Sequence, residues 1–100
     1  MIQVIYRWKV KEGQENRFVR AWTQGTRTIR STFHGAYGSV LLRSHRDASE
    51  FVGVATWESL EDVQVFWKSE HPDPEAFRVV GETGSFLSRE VLDEIRDLEL

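Results

Sequence analysis

The stretch GVATWESLEDVQVFW, residues 53–67, changes its hydrophobic period half-way along. Up to Trp57 the row Gly53, Ala55, Trp57 alternates with Val54 and Thr56, which is the period of two of a β-strand. Ser59 then stands three residues before Asp62, the spacing of a capping box with Asp in place of the usual Glu. Leu60, Val63, Phe66 and Trp67 follow at helical spacing. A strand thus runs straight into a helix, with tryptophans on both sides of the junction. Extended back to Phe51, the strand is apolar on both faces, because Val52 and Val54 form a second row. One face can take helices; the other needs separate cover.

Working outward, Ile2, Val4, Tyr6, Trp8 and Val10 alternate with more polar residues and predict a first strand with one buried face. From about Gln14 to Ser31, Phe18, Trp22, Ile29 and Phe33 recur at helical spacing, with small Gly25 and Thr26 at the missing turn. HGAYG (34–38) reads as a turn, and SVLLRS and EFVGVATW as two strands of an antiparallel hairpin joined by the polar HRDAS. In HPDPEAF (71–77) two prolines end the second helix, and Asp73 as N-cap with Pro74 at the first helical position starts a short third helix ending near Gly81 or Gly84. The last segment, REVLDEIRDLEL (89–100), offers two patterns. Val91, Leu92, Ile95 and Leu98 suit a helix; Leu92, Glu94, Arg96, Leu98 and Leu100 make a strand row. Topology favours the strand, since the order β, α, β, β, α, short α, β is then the ferredoxin-like split βαβ arrangement, an α+β subunit with a four-stranded antiparallel sheet. Two such sheets packed face to face in a homodimer would cover the Val52 and Val54 row.

A chain of 100 residues without internal repeats is expected to form one domain over 1–100. The absence of cysteine excludes a disulfide framework and thiolate metal sites, and the three histidines show no ligand spacing with carboxylates, so no metal site is expected. A net charge of −3 gives no general attraction to nucleic acid or anionic lipid. Four arginines, Arg17, Arg20, Arg27 and Arg30, form a stripe on the first helix that reads as a solvated face. No apolar run approaches the ~20 residues of a membrane span and no secretory leader precedes the first strand, so a cytoplasmic protein is expected.

Trp57 and Trp67 can be core or cavity wall. Gly53 and Ala55 leave little side-chain volume beside Trp57, so either a helix approaches closely there or space remains for a flat ligand, with Phe18, Trp22, Phe66 and Trp67 as its opposite wall. His71, in the Pro-flanked loop after the second helix, is the candidate proton acceptor at the pocket lip, and His34 is an alternative. The Tyr6 hydroxyl, on the same face as Trp8, can bind a substrate oxygen. No Gly-rich phosphate loop, HExxH or GxSxG is present.

IQVIYRWKV, EGQENRFVRAW, GAYGSVLLRS and FVGVATWESLEDVQVFWKSE together resemble the antibiotic biosynthesis monooxygenase superfamily, dimeric α+β barrels of ferredoxin-like subunits. The Trp-Glu-Ser at the end of the third strand, ahead of an aromatic helix, carries most of that resemblance. In the quinone-forming members a Trp at this place lines the pocket, and Trp57 matches it. Their Asn four residues earlier is Gly53 here, and their Tyr six residues later is Val63. The resemblance places their Arg after the prolines loosely at Arg78. It also implies no cofactor, with dioxygen as co-substrate. The haem-degrading branch is a poor match: its strand-one Asn is Arg7 here, and no histidine occurs from Glu75 to Thr83.

The resemblance thus implies a cofactor-independent monooxygenase acting on a phenol or quinol such as an aromatic polyketide, with His71, Tyr6 and Arg78 as the expected chemical groups. Two alternatives keep the same hydrophobic or aromatic ligand: a non-catalytic dimeric binding module, favoured by loss of the Asn and Tyr equivalents, and a small-metabolite isomerase using His71 without oxygen.

Overall fold

A computed structural model describes residues 1–98. The elements run β1 (Ile2–Val10), α1 (Glu15–Thr32), β2 (Ala36–Arg43), β3 (Glu50–Trp57), α2 (Leu60–Lys68), α3 (Pro74–Thr83) and β4 (Gly84–Asp93). The sheet order is β2-β3-β1-β4, with every neighbouring pair antiparallel. This is the ferredoxin-like α+β fold expected from the alternation of periods. Among the described residues no helix is long and apolar enough to cross a membrane.

The local signals explain where the elements start and stop. Ser59 Oγ accepts the Asp62 amide at 3.2 Å and donates to its carboxylate at 2.9 Å, opening α2. Asp73 accepts the Ala76 amide at 3.1 Å with Pro74 at the first helical position, opening α3. Gly13, at φ 82°, turns the chain from β1 into α1.

The β1–β3 register pairs Ile2 with Trp57, Val4 with Ala55, Tyr6 with Gly53 and Trp8 with Phe51, so these residues share the helix-covered face. On the opposite face Ile5, Val40, Leu42, Val52 and Val54 lie together by register; Val40 and Leu42 are about half exposed, at 49% and 48%.

Two boundaries differ from expectation. β2 begins at Ala36, inside the segment read as a turn, because only His34 and the positive-φ Gly35 are needed to reverse the chain. The last strand is β4, starting directly at the end of α3, so the alternating row expected at 92–100 lies mostly beyond it; Leu100 falls outside the described residues. The helical alternative for Val91 to Leu98 is not what forms. Val91 and Leu92 pair with Val4 and Gln3 of β1, and the Glu94 amide extends the ladder to the Met1 carbonyl at 3.0 Å.

Candidate functional site

The core beneath the helices is divided. Val10, Phe18 and Phe51 form one buried cluster, and Ile2, Val4, Trp57 and Val63 another. A cavity of about 710 Å³ with a mainly apolar lining lies between helices and sheet, its wall running from β2 at one sheet edge to β4 at the other. Phe77 and Phe86 line it and are 62% and 58% exposed, so the cavity meets solvent beside them.

Of the residues singled out from the sequence, Tyr6, Trp22, Gly53, Ala55, Trp57, Phe66, Trp67, His71 and Arg78 all contribute to the wall. Phe18 does not. It is fully buried, meets Trp8 and Phe51 edge to face with ring centroids 5.5 Å apart in each pair, and packs against Gly84, where an added Cβ would lie 3.2 Å from its ring. The space above Gly53 is shared between side chains and cavity. No helix backbone presses on it: an added Cβ would lie 3.0 Å from Trp8 and 3.4 Å from Trp22 Nε1, so two indoles take up part of the space released by the missing side chain and Gly53 borders the cavity between them. Trp57 is core and wall together, being buried while stacked at 5.6 Å on Phe66.

The polar groups cluster around Tyr6. Its hydroxyl accepts a hydrogen bond of 3.1 Å from Trp67 Nε1, which leaves its own proton free to donate. Burial raises the Tyr6 pKa, opposed by the Trp67 hydrogen bond and by the charge of Arg89, so the hydroxyl is a protonated donor at neutral pH. Arg89 lies over the Trp67 ring, its guanidinium carbon 3.7 Å from the centroid.

Arg89 had no sequence signal. Phe86 pairs with Trp8 and Arg89 with Tyr6, two positions apart on β1 but three apart on β4, because a bulge at Leu87 adds a residue to the strand. Strict alternation would place Phe86 and Arg89 on opposite faces; the bulge brings both to the cavity.

Arg78 reaches the wall, but its guanidinium is held at the surface by Glu75 and Glu82, with Nε 3.1 Å from Glu75. His71 packs with its ring stacked 5.0 Å from Phe77 and edge-on to Phe66. The Asp73 amide donates to its Nδ1 at 3.0 Å. The neutral ring therefore carries its proton on Nε2 and offers a donor, where the sequence suggested an acceptor. Burial holds its pKa below the ordinary histidine value, and the Asp73 carboxylate opposes that shift in part.

Folding also brings together a group that sequence spacing did not show. His34, Glu58 and Asp62 have ligand atoms within 4.8 Å of one another. They stand on the surface and already have protein partners: His34 Nε2 lies 3.1 Å from Glu58, Tyr37 donates to Glu58 at 3.1 Å, and Ser59 donates to Asp62.

Comparison with known proteins gives this geometry a family context. The model of the antibiotic biosynthesis monooxygenase family matches residues 1–72. SnoaB, a cofactor-independent oxygenase from Streptomyces nogalater, superposes with TM-score 0.79 at 14% identity, covering 97% of this chain and 95% of that one. Proteins assigned to the antibiotic biosynthesis monooxygenases from Bordetella bronchiseptica (TM-score 0.74, 26% identity, 97% of each chain) and Caulobacter crescentus (TM-score 0.80, 17% identity, 95% and 90%) share the fold. Among curated proteins, none matches in sequence.

Proposed function

The chain belongs to the antibiotic biosynthesis monooxygenase family, and on that premise we propose that it oxygenates an aromatic phenol or quinol, without a cofactor, as a homodimer. The observation carrying this reading is the wall itself: Trp8, Trp22, Trp57, Phe66 and Trp67 enclose a volume suited to fused rings, while the Tyr6 hydroxyl and His71 Nε2 supply donors for ring oxygens. The exposed apolar face around Val40, Leu42, Val52 and Val54 supports sheet-to-sheet pairing of two copies.

The chemistry follows from donors without a strong acceptor. A phenol whose ring bears an acidic C–H loses its proton to water through the open side of the cavity, and the resulting anion is spread between oxygen and ring carbon. Tyr6 and His71 hydrogen-bond the oxygen, lowering the cost of that charge in an apolar site. The electron-rich carbon transfers one electron to dioxygen, the radical pair combines to a carbon-bound peroxide, and loss of water leaves a carbonyl. One oxygen atom enters the product and the other leaves as water; counted on the keto tautomer, whose reacting ring carbon is a CH2, that carbon gives up four electrons, matching full reduction of dioxygen. The aromatic walls hold the reactants together and limit water around the peroxide.

Oxygen uptake measured across a panel of anthrones, naphthols and hydroquinones tests the reading, on material expected to scatter light as two chains. Uptake matched by one oxygen atom incorporated into product per dioxygen, with the other released as water, supports it. Tight binding of the same compounds with no uptake favours the non-catalytic module, which gains from the absence of the Asn and Tyr equivalents at Gly53 and Val63.

A further inference from the structure

The charged groups of the cavity are one-sided. Arg30, Arg78 and Arg89 line it, and no aspartate, glutamate or lysine does, among the described residues. Arg78 is neutralised by Glu75 and Glu82, whereas Arg89 makes no ion pair with any described carboxylate. Among the described residues its side-chain partner is the face of Trp67, a contact that uses none of its N–H donors and leaves them for another acceptor. The bulge at Leu87 is what aims it inward, and the register sets it directly across from Tyr6, whose proton is also free. A fixed cation beside a free hydroxyl, at the edge of an aromatic cavity without negative charge, has the chemistry of an oxyanion receptor.

We propose that Arg89, with Tyr6, makes the cavity selective for an aromatic ligand already carrying an anionic oxygen, either a phenolate or an arene carboxylate. This rests on the aromatic cavity proposed above and adds its substrate class. Arg89 is a specificity-determining residue in this scheme: it meets the charge of the ligand, while the indoles meet its rings. Because Arg89 is exposed, its contribution is partly screened and falls with added salt.

The test is a tryptophan-fluorescence titration of the full chain with three probes of one ring size: naphthylmethanol, naphthoate, and a nitronaphthol ionised at neutral pH. At least one anion is expected to bind about tenfold more tightly than the alcohol, the scale of a partly screened charge contact. Arg89→Met should remove that preference and leave affinity for the alcohol within about twofold, and Arg89→Lys should restore part of it. A preference for naphthoate identifies a carboxylate, and one for the nitronaphthol alone a phenolate; both support the proposal. Equal affinity for anions and alcohol, or full preference retained in Arg89→Met, overturns it while leaving the aromatic cavity standing. Failure of all three probes to bind overturns the cavity reading and this inference together.

Discussion

At one end of the space between helices and sheet, Phe18 is fully buried against Trp8, Phe51 and the bare backbone of Gly84; toward the other, Tyr6, Trp67 and Phe66 stand around open volume. Both regions are aromatic, and both are built from the same strands. They differ in what the rings touch. Phe18 is enclosed by side chains and backbone, so its burial serves the fold. Tyr6 and Trp67 share one hydrogen bond, Tyr6 also stacks on Trp8 and Arg89 lies over Trp67, yet both rings still border the cavity. Aromatic content alone does not distinguish core from site; the number of ring faces left without a protein neighbour does.

The largest effect should come from the filled end. Phe18→Ala removes a fully buried ring that its neighbours hold on every side, and should cost about 3–5 kcal/mol in denaturant unfolding. Tyr6→Phe, at the hollow end, deletes a hydroxyl bonded among the described residues to Trp67 alone and should cost no more than about 1.5 kcal/mol. A reversal of that order would dissolve the distinction between the two ends.

Most of the filled end was legible in the sequence. The period-two row of β1 and the helical row of α1 place Val10 and Phe18 inward without knowledge of any partner, although the same row suggests the cavity wall for Phe18. The hollow end was legible only where it obeys those same periods, as at Trp57 and Trp67. Arg89 escaped because a bulge breaks the parity from which a strand's faces are read, and no residue type marks Leu87 as its site. Arg78 was visible as an arginine but not as one paired with carboxylates a helical turn away on each side. His71 was placed correctly in a loop, yet its tautomer depends on the Asp73 amide, which becomes a neighbour of Nδ1 only when the Pro-flanked turn closes. The extent of β4 was obscured because Gly84 to Ser88 lacks a clean alternation, while the stronger pattern beyond it stays unpaired past residue 94.

A smaller effect, specific to the boundary between the two ends, is expected at Gly53. Trp8 belongs to the filled cluster and also lines the cavity, and both it and Trp22 rest on this glycine. Gly53→Leu should destabilise by about 1–3 kcal/mol through overpacking and abolish binding of aromatic probes by driving the indoles into the open volume. Unchanged probe affinity in Gly53→Leu would show that the cavity does not depend on the tryptophans the two ends share.

The smallest effect concerns His71, the point at which the hollow end responds to pH. Burial among Phe66, Phe77 and the α1 surface at Gly25 depresses its pKa below the unfolded value near 6.5, so the folded chain prefers the neutral ring. The unfolded chain then binds the proton first. The stability contributed by this preference is complete above pH 6.5 and is lost as pH falls through the lower folded value. Asp47 and Glu75, whose pKa values are also lowered, lose their contributions only within the more acidic carboxylate range, so the two windows separate. Unfolding free energies of the wild type and His71→Gln, measured between about pH 7 and pH 5, should therefore converge toward the acid side, with the wild type losing more. A parallel measurement decides the chemical role. With Nδ1 held by the Asp73 amide, His71 donates through Nε2, and its replacement should lower oxygen uptake by about tenfold. A loss of a hundredfold or more, together with loss of the acid-side pH dependence, would instead return His71 to the role of proton acceptor and require the Asp73 contact to open during turnover.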